Sequence, residues 1–182
     1  DLPFLAHRGS LDSTIENVRR IMKAGAQAVK IEGITGSEKT FKHIVESGVP
    51  VMGHLGLTPQ SLHQFGGFKV QATEQNAAEW LLQQAKTLED CGCFAIVLEA
   101  VPSHVAKYVT DHLQIPTIGI GAGSDCSGQV LVFQDLLGLN TDFKPKFVRR
   151  FLNGADLFKG ALNDFDKAVK EKEFPSSKES YS

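Results

Sequence analysis

Val29-Lys30-Ile31-Glu32-Gly33 is the stretch on which the reading of this chain turns. The apolar lead from Ala26 to Ile31 predicts a β-strand, and side chains on a strand alternate between its two faces. Lys30 and Glu32 therefore share one face, and Val29 and Ile31 share the other. A lysine and a glutamate on a strand buried from both sides are costly unless a partner, a metal or a ligand meets them. The alternative at this point is an ion pair on a solvated sheet face.

Working outward, Ser13 to Ala24 carries Ile15, Val18, Ile21 and Met22 at helical spacing, with Gly25 as a stop. Asp1-Leu2-Pro3-Phe4 reads as the tail of an earlier strand. On the other side, Ser37 is placed to cap a helix running to about Ser47. Val49 to His54 is the next strand. Leu55 to Thr73 is rich in Gly, Gln and Pro, lacks a period, and is long for a βα connection. A helix is predicted from Thr73 to about Asp90, a strand over Phe94 to Leu98 closed by Glu99, and a helix over Ser103 to Leu113 with Pro102 at its start. Thr117 to Ile120 and Gln129 to Phe133 are read as strands, and Lys146 to Glu171 as a long helix before a polar tail, Pro175 to Ser182.

Alternating strands and helices imply an α/β fold with a parallel sheet. Two architectures compete, an open doubly wound sheet and a closed (β/α) barrel. Polar groups recur where strands finish, at Asp1, Lys30 with Glu32, His54 and Glu99, which fits a barrel's catalytic rim. Gly119-Ile120-Gly121-Ala122-Gly123 is a poor dinucleotide fingerprint, since no G-x-G-x-x-G fits. About six strands are counted where a barrel has eight, so the expectation is a chain that begins after the first strands of a barrel, or an open sheet.

The 182 residues, net charge of -2 and pI near 6.3 carry no basic footprint, so nucleic acid is not expected as a partner. No apolar run reaches the roughly 18 residues of a membrane span. Cys91, Cys93 and Cys126 are odd in number and lack metal or redox spacing, which reads as reduced thiols in the cytoplasm.

Asp1, Glu32 and Glu99 are three carboxylates at or near strand ends, unaccompanied by a His or Cys cluster. Oxygen ligands of that kind suit a hard ion such as Mg²⁺, and Lys30 beside it would neutralise an anionic substrate or a developing enolate. Glu99, behind Ala95-Ile96-Val97-Leu98, is placed to be a proton acceptor. His54 is open between acid, ligand and structural wall. His7, His43, His63, His104 and His112 follow no pattern. The glycines of 119–123 allow close backbone approach, to a ligand or a neighbouring loop. Lys69 and Gln71 suit a lid or a subunit contact.

Taken together, DLPF at Asp1, VKIEG at Val29, GHLGLTPQS at Gly53, FGGFKVQ at Phe65, VLEAVP at Val97 and IGIGAG at Ile118 resemble, in order, the ketopantoate hydroxymethyltransferases. The resemblance runs from Asp1 to about Phe174. It implies a (β/α)₈ TIM barrel of the phosphoenolpyruvate mutase-like group, lacking here its first two strands and most of the third. The barrel would form one domain over 1–174, assembled with copies of itself into a decamer-like ring. It also implies transfer of a one-carbon unit from 5,10-methylenetetrahydrofolate to 3-methyl-2-oxobutanoate, giving 2-dehydropantoate for pantothenate synthesis. Asp1 matches the family's metal-ligand aspartate, which also contacts the oxoacid, Lys30 its oxoacid-binding lysine, Glu32 the Mg²⁺ glutamate and Glu99 the proton acceptor. The family's aspartate-serine pair, which supplies a further metal ligand, lies upstream of Asp1, and Ala72-Thr73 stands where the family often has glycine and a basic residue. A related Mg²⁺-dependent oxoacid lyase or mutase is the second reading, opposed by the absence of a K-K-C-G-H-type lid motif. An inactive or assembly-only fragment is the third.

Overall fold

The computed structural model describes residues 1–142 and 144–181; Ser182, the last residue of the expected tail, lies outside the described residues. The chain divides into two units, Asp1–Val130 and Leu131–Ser182.

In the first unit, α1 (Leu11–Lys23) leads to β1 (Val29–Glu32), α2 (Glu38–Glu46) and β2 (Val51–Gly56). A 3-10 turn (Pro59–Ser61) and the single helical turn α3 (Leu62–Phe65) follow. Then come α4 (Gln75–Asp90), β3 (Ala95–Glu99), α5 (Ser103–Asp111), β4 (Thr117–Ile120) and the two-residue β5 (Gly128–Gln129). The strands pair in parallel in the order of the sequence, β1-β2-β3-β4-β5. A doubly wound sheet must reverse its strand order at a switch point, whereas a barrel sheet does not. The helices keep the same sequence, α1 against α2, α2 against α4 and α4 against α5, as they do around a barrel.

The strand period of two sorts the side chains cleanly. Val29, Ile31, Val51, Leu55, Ile96 and Leu98 join Phe41, Ile44, Leu81, Ala85, Leu88, Val105 and Val109 in one apolar core between sheet and helices. Full burial of each such large side chain is worth roughly 1.5–3 kcal/mol. Gly53 lets α4 close on the sheet, because a Cβ there would lie 2.5 Å from Leu88 Cδ1. The opposite face carries Lys30 beside Met52, then a row of Glu32, His54, Val97 and Ile118, then Gly56, Glu99 and Ile120. Lys30, Met52 and Ile118 on it are only half-buried, so this face is less fully covered than the expected two-sided burial.

Several boundaries differ from the sequence expectation. Asp1–Phe4 forms no strand, yet the Leu2 N–H donates to the Lys30 carbonyl at 2.9 Å, tying the segment to β1. α1 begins earlier than Ser13 because Ser10 caps it, accepting the Ser13 N–H at 3.3 Å. Ser37 stands at the N-cap of α2 without making the cap hydrogen bond; the Glu38 carboxylate takes the Gly36 N–H instead, at 3.0 Å.

In the second unit, α6 (Phe133–Leu136) replaces the end of the expected Gln129–Phe133 strand. The helix expected from Lys146 begins only at Gly154, as α7 (Gly154–Lys170). A Cβ at Gly154 would lie 2.5 Å from the Leu137 carbonyl oxygen, which accepts the Gly154 N–H at 2.9 Å, so a close crossing sets the helix start. Leu157, Phe158, Leu162, Phe165 and Val169 lie on α7 with their side chains exposed.

Candidate active site

β1, β2 and β3 end side by side, and their register decides which polar side chains meet. Glu32 pairs with His54, and one step on, Gly56 pairs with Glu99. Lys30 lies one inward position before Glu32 on the same face. Its Nζ is 2.9 Å from Asp1 Oδ1, 3.0 Å from His54 Nδ1 and 3.4 Å from Glu32 Oε1. A lysine ammonium has three hydrogens and no acceptor, so these three groups use its whole donor capacity.

Glu32 is 8% exposed, and its second oxygen accepts the Gln60 backbone N–H at 2.9 Å. Burial raises this carboxyl, but the Gln60 N–H and the Lys30 ammonium hold it below its ordinary value. Gln60 also reaches the N-terminal segment, donating through Nε2 to the Leu2 carbonyl at 2.9 Å. The 3-10 turn after β2 thus fastens both Glu32 and the backbone next to Asp1.

His54 is buried at the middle of the group. Its Nδ1 faces the Lys30 ammonium at 3.0 Å and Glu32 Oε1 at 3.7 Å; the ammonium is the nearer and can only donate, so Nδ1 is the ring's acceptor and the hydrogen lies on Nε2. That nitrogen is 3.2 Å from Glu99 Oε2, within ion-pair reach, but their alignment makes no hydrogen bond, and Nε2 is a buried polar atom without a hydrogen-bond partner. Glu99 itself is half-buried, and Ala100 after it has φ +49°, a left-handed conformation unusual for a non-glycine residue. The Ala100 N–H donates to the Ile120 carbonyl and its own carbonyl accepts the Gln71 N–H, at 2.9 and 2.8 Å.

Asp1, Lys30 and Glu32 therefore come together as the sequence pairs them, and Glu99 joins them through His54. His54 is the group that strand phase alone left undecided, because its place depends on the register between β1 and β2. Lys69 and Gln71 stand outside the cluster: Gln71 bonds the backbone of Ala100 and of Lys69. The close approach in the 119–123 glycines is to the start of α5, where a Cβ on Gly123 would lie 2.4 Å from Ser103 Cβ.

Among the described residues no group of three or more His, Cys, Asp and Glu side chains is gathered to hold a metal ion. Two carboxylates, of Asp1 and Glu32, do converge on one cation, the Lys30 ammonium. An all-oxygen pair of that kind fits Mg²⁺, which is commonly held by one or two protein carboxylates with water and substrate oxygens completing the shell.

A singly wound parallel α/β sheet with charged groups gathered at the C-terminal ends of neighbouring strands defines an enzyme of the (β/α)-barrel kind. Sequence comparison narrows the class. The chain belongs to the ketopantoate hydroxymethyltransferase family, whose model matches residues 1–177. It is 57% identical over 182 residues to the 3-methyl-2-oxobutanoate hydroxymethyltransferase of Bdellovibrio bacteriovorus, covering all of this chain and 69% of that one. The enzyme of the same name from Legionella pneumophila is 55% identical over all of this chain and 70% of its own length. That of Francisella tularensis is 52% identical over 181 residues, with 69% of its length covered. The chain thus spans about 69% of the length of such curated relatives.

Proposed function

We propose that the chain transfers a hydroxymethyl group to 3-methyl-2-oxobutanoate, with 5,10-methylenetetrahydrofolate as the one-carbon donor and 2-dehydropantoate as product. The observation that carries this reading is the meeting of Asp1 and Glu32 on Lys30, with Glu99 joined to them through His54, in a chain so similar to enzymes of that name.

Lys30 receives the substrate's carboxylate and keto oxygen as a fixed positive charge. An ammonium whose hydrogens all face acceptors suits this electrostatic role better than that of an amine nucleophile. Asp1 and Glu32 would hold Mg²⁺, which when bound supplies Lewis-acid polarisation of the keto group. Glu99 removes the proton from C3: the C–H bond breaks, its electron pair passes into the enolate, and the carboxyl keeps the proton. The enolate carbon then forms the new C–C bond to the methylene carbon as that carbon's bond to one folate nitrogen breaks; water displaces the second nitrogen, its hydroxyl staying on the new carbon, and tetrahydrofolate leaves carrying the protons on its two nitrogens.

The three free cysteines accord with a cytoplasmic protein, and no helix among the described residues is long and apolar enough to cross a membrane. The exposed apolar side chains of α7 accord with self-association, to be read by sedimentation.

Two assays test the chemistry separately. Purified chain with the oxoacid and Mg²⁺ in D₂O should exchange the C3 hydrogen, and addition of the folate should yield 2-dehydropantoate. Neither exchange nor product at saturating substrate would remove the proposal for this chain.

A further inference from the structure

His54 is the most deeply buried charged or titratable side chain of the cluster and touches both halves of it. Its exposure is 2%, its Nδ1 is 3.0 Å from Lys30 Nζ, and its Nε2 is 3.2 Å from Glu99 Oε2. A buried polar atom left without a hydrogen bond costs about 1–3 kcal/mol. Nε2 is such an atom, and the Glu99 carboxylate is the acceptor within reach. Catalytic hydrogen bonds are often poorly aligned before substrate binds and tighten afterwards.

We propose that His54 is a positioning residue that ties the oxoacid-binding lysine to the catalytic glutamate. As the Nε2–H tautomer it accepts from Lys30 on one side and presents a single donor to Glu99 on the other. The ammonium polarises the ring, which strengthens the donor facing the carboxylate. One Glu99 oxygen is thereby held by the ring, and the other is left to take the C3 proton. His54 keeps its own hydrogen throughout, so no proton passes along it. Lys30 and Glu99 lie on β1 and β3, which do not pair directly, and the ring on β2 reaches both.

This inference rests on the assignment of Glu99 as the base, but its first test does not. In chain carrying ¹⁵N-labelled histidine, long-range proton–nitrogen correlations report which ring nitrogen bears hydrogen, and the His54 signals are those missing from His54→Gln. The Nε2–H tautomer is expected in the unmodified chain, and a mixture of tautomers in Lys30→Met. An Nδ1–H tautomer in the unmodified chain, or doubly protonated His54, overturns the proposal. Loss of the fold in Lys30→Met leaves the unmodified spectrum as the deciding result.

The second test separates the ring's two contacts. An asparagine can stand in for Nδ1 and a glutamine for Nε2. His54→Asn should bind the oxoacid within about threefold of the unmodified chain while C3 exchange falls about tenfold or more, the loss of one oriented hydrogen bond. His54→Gln should show the reverse, with exchange per bound substrate better preserved. Equal losses of binding and exchange in both variants would mean a merely structural ring. Absence of exchange in the unmodified chain would count against the base assignment and leave the tautomer result standing.

Discussion

Gly48 and Gly56 share one backbone angle, φ +86°, and differ in their surroundings. A Cβ at Gly48 would meet nothing within 4 Å, whereas at Gly56 it would lie 2.3 Å from the Glu99 carbonyl oxygen and 2.7 Å from Val101 Cγ2. Replacing each in turn by alanine separates backbone strain from overlap. Gly48→Ala incurs the left-handed conformation alone, about 1–2 kcal/mol. Gly56→Ala incurs the same strain and must also push away a carbonyl that accepts the Leu57 N–H at 2.9 Å. Losing a buried backbone hydrogen bond adds about 1–3 kcal/mol, giving a total of about 2–5 kcal/mol. Urea unfolding with equal slopes would read both values, and Gly56→Ala should lie below Gly48→Ala by the overlap term. The displaced carbonyl belongs to Glu99, so C3 exchange by the folded fraction should fall in Gly56→Ala and not in Gly48→Ala. Equal destabilisation of the two variants would refute the reasoning.

Other perturbations address the charged groups directly. Glu99→Gln should retain oxoacid binding while abolishing deuterium exchange at C3; persistent exchange would rule out its role as base. Lys30→Ala should weaken oxoacid binding about tenfold or more, the loss of a charge-assisted contact of roughly 1.5–3 kcal/mol, and an unchanged dissociation constant would count against it. Glu32 is held below its ordinary 4.5, so its stabilising contribution is complete above about that pH and is lost as pH falls through the lower folded value. In EDTA, the stability gap between the unmodified chain and Glu32→Gln should therefore narrow on acidification, and a gap constant from neutrality to pH 3 would contradict this. His7 is held below its ordinary 6.5 by burial and by Arg8, against the pull of Glu32. Folding then favours its neutral form, so stability should fall as pH drops through about 6.5, less so in His7→Phe, as followed by thermal unfolding.

The parts of this picture that were legible in the sequence are those with a short period. Val29, Ile31, Lys30 and Glu32 sort by strand alternation, and Ile15, Val18, Ile21 and Met22 of α1 sort by helical spacing, Val18 lying in the core and the others packing against it. Glu99 was marked by its position at the end of an apolar run. What was not legible depends on contacts between distant segments. His54 meets Lys30 and Glu99 only because β2 lies between β1 and β3 in one particular register, which no local pattern encodes. Gln60, in a stretch without periodicity, fastens Glu32 by a backbone N–H, and every residue except proline has one. The late start of α7 follows from the crossing of Gly154 over Leu137, again a meeting of remote backbone.

The sequential pairing of the strands has a kinetic corollary. Each strand is bonded only to those before and after it in the chain, so the sheet behaves as a linear array coupled through nearest neighbours. The pairings β1–β2, β2–β3 and β3–β4 are each closed by one helical crossover and β4–β5 by the short loop 121–127, so growth of the sheet needs no long-range search beyond one such connection. The weakest junction in such an array sets where it parts. Opening between β2 and β3 would leave Lys30, Glu32 and His54 together on one side and Glu99 on the other. The amide protons shared across that junction are thus a direct reporter of how often the base and the cation are uncoupled, and native-state hydrogen exchange would read the frequency.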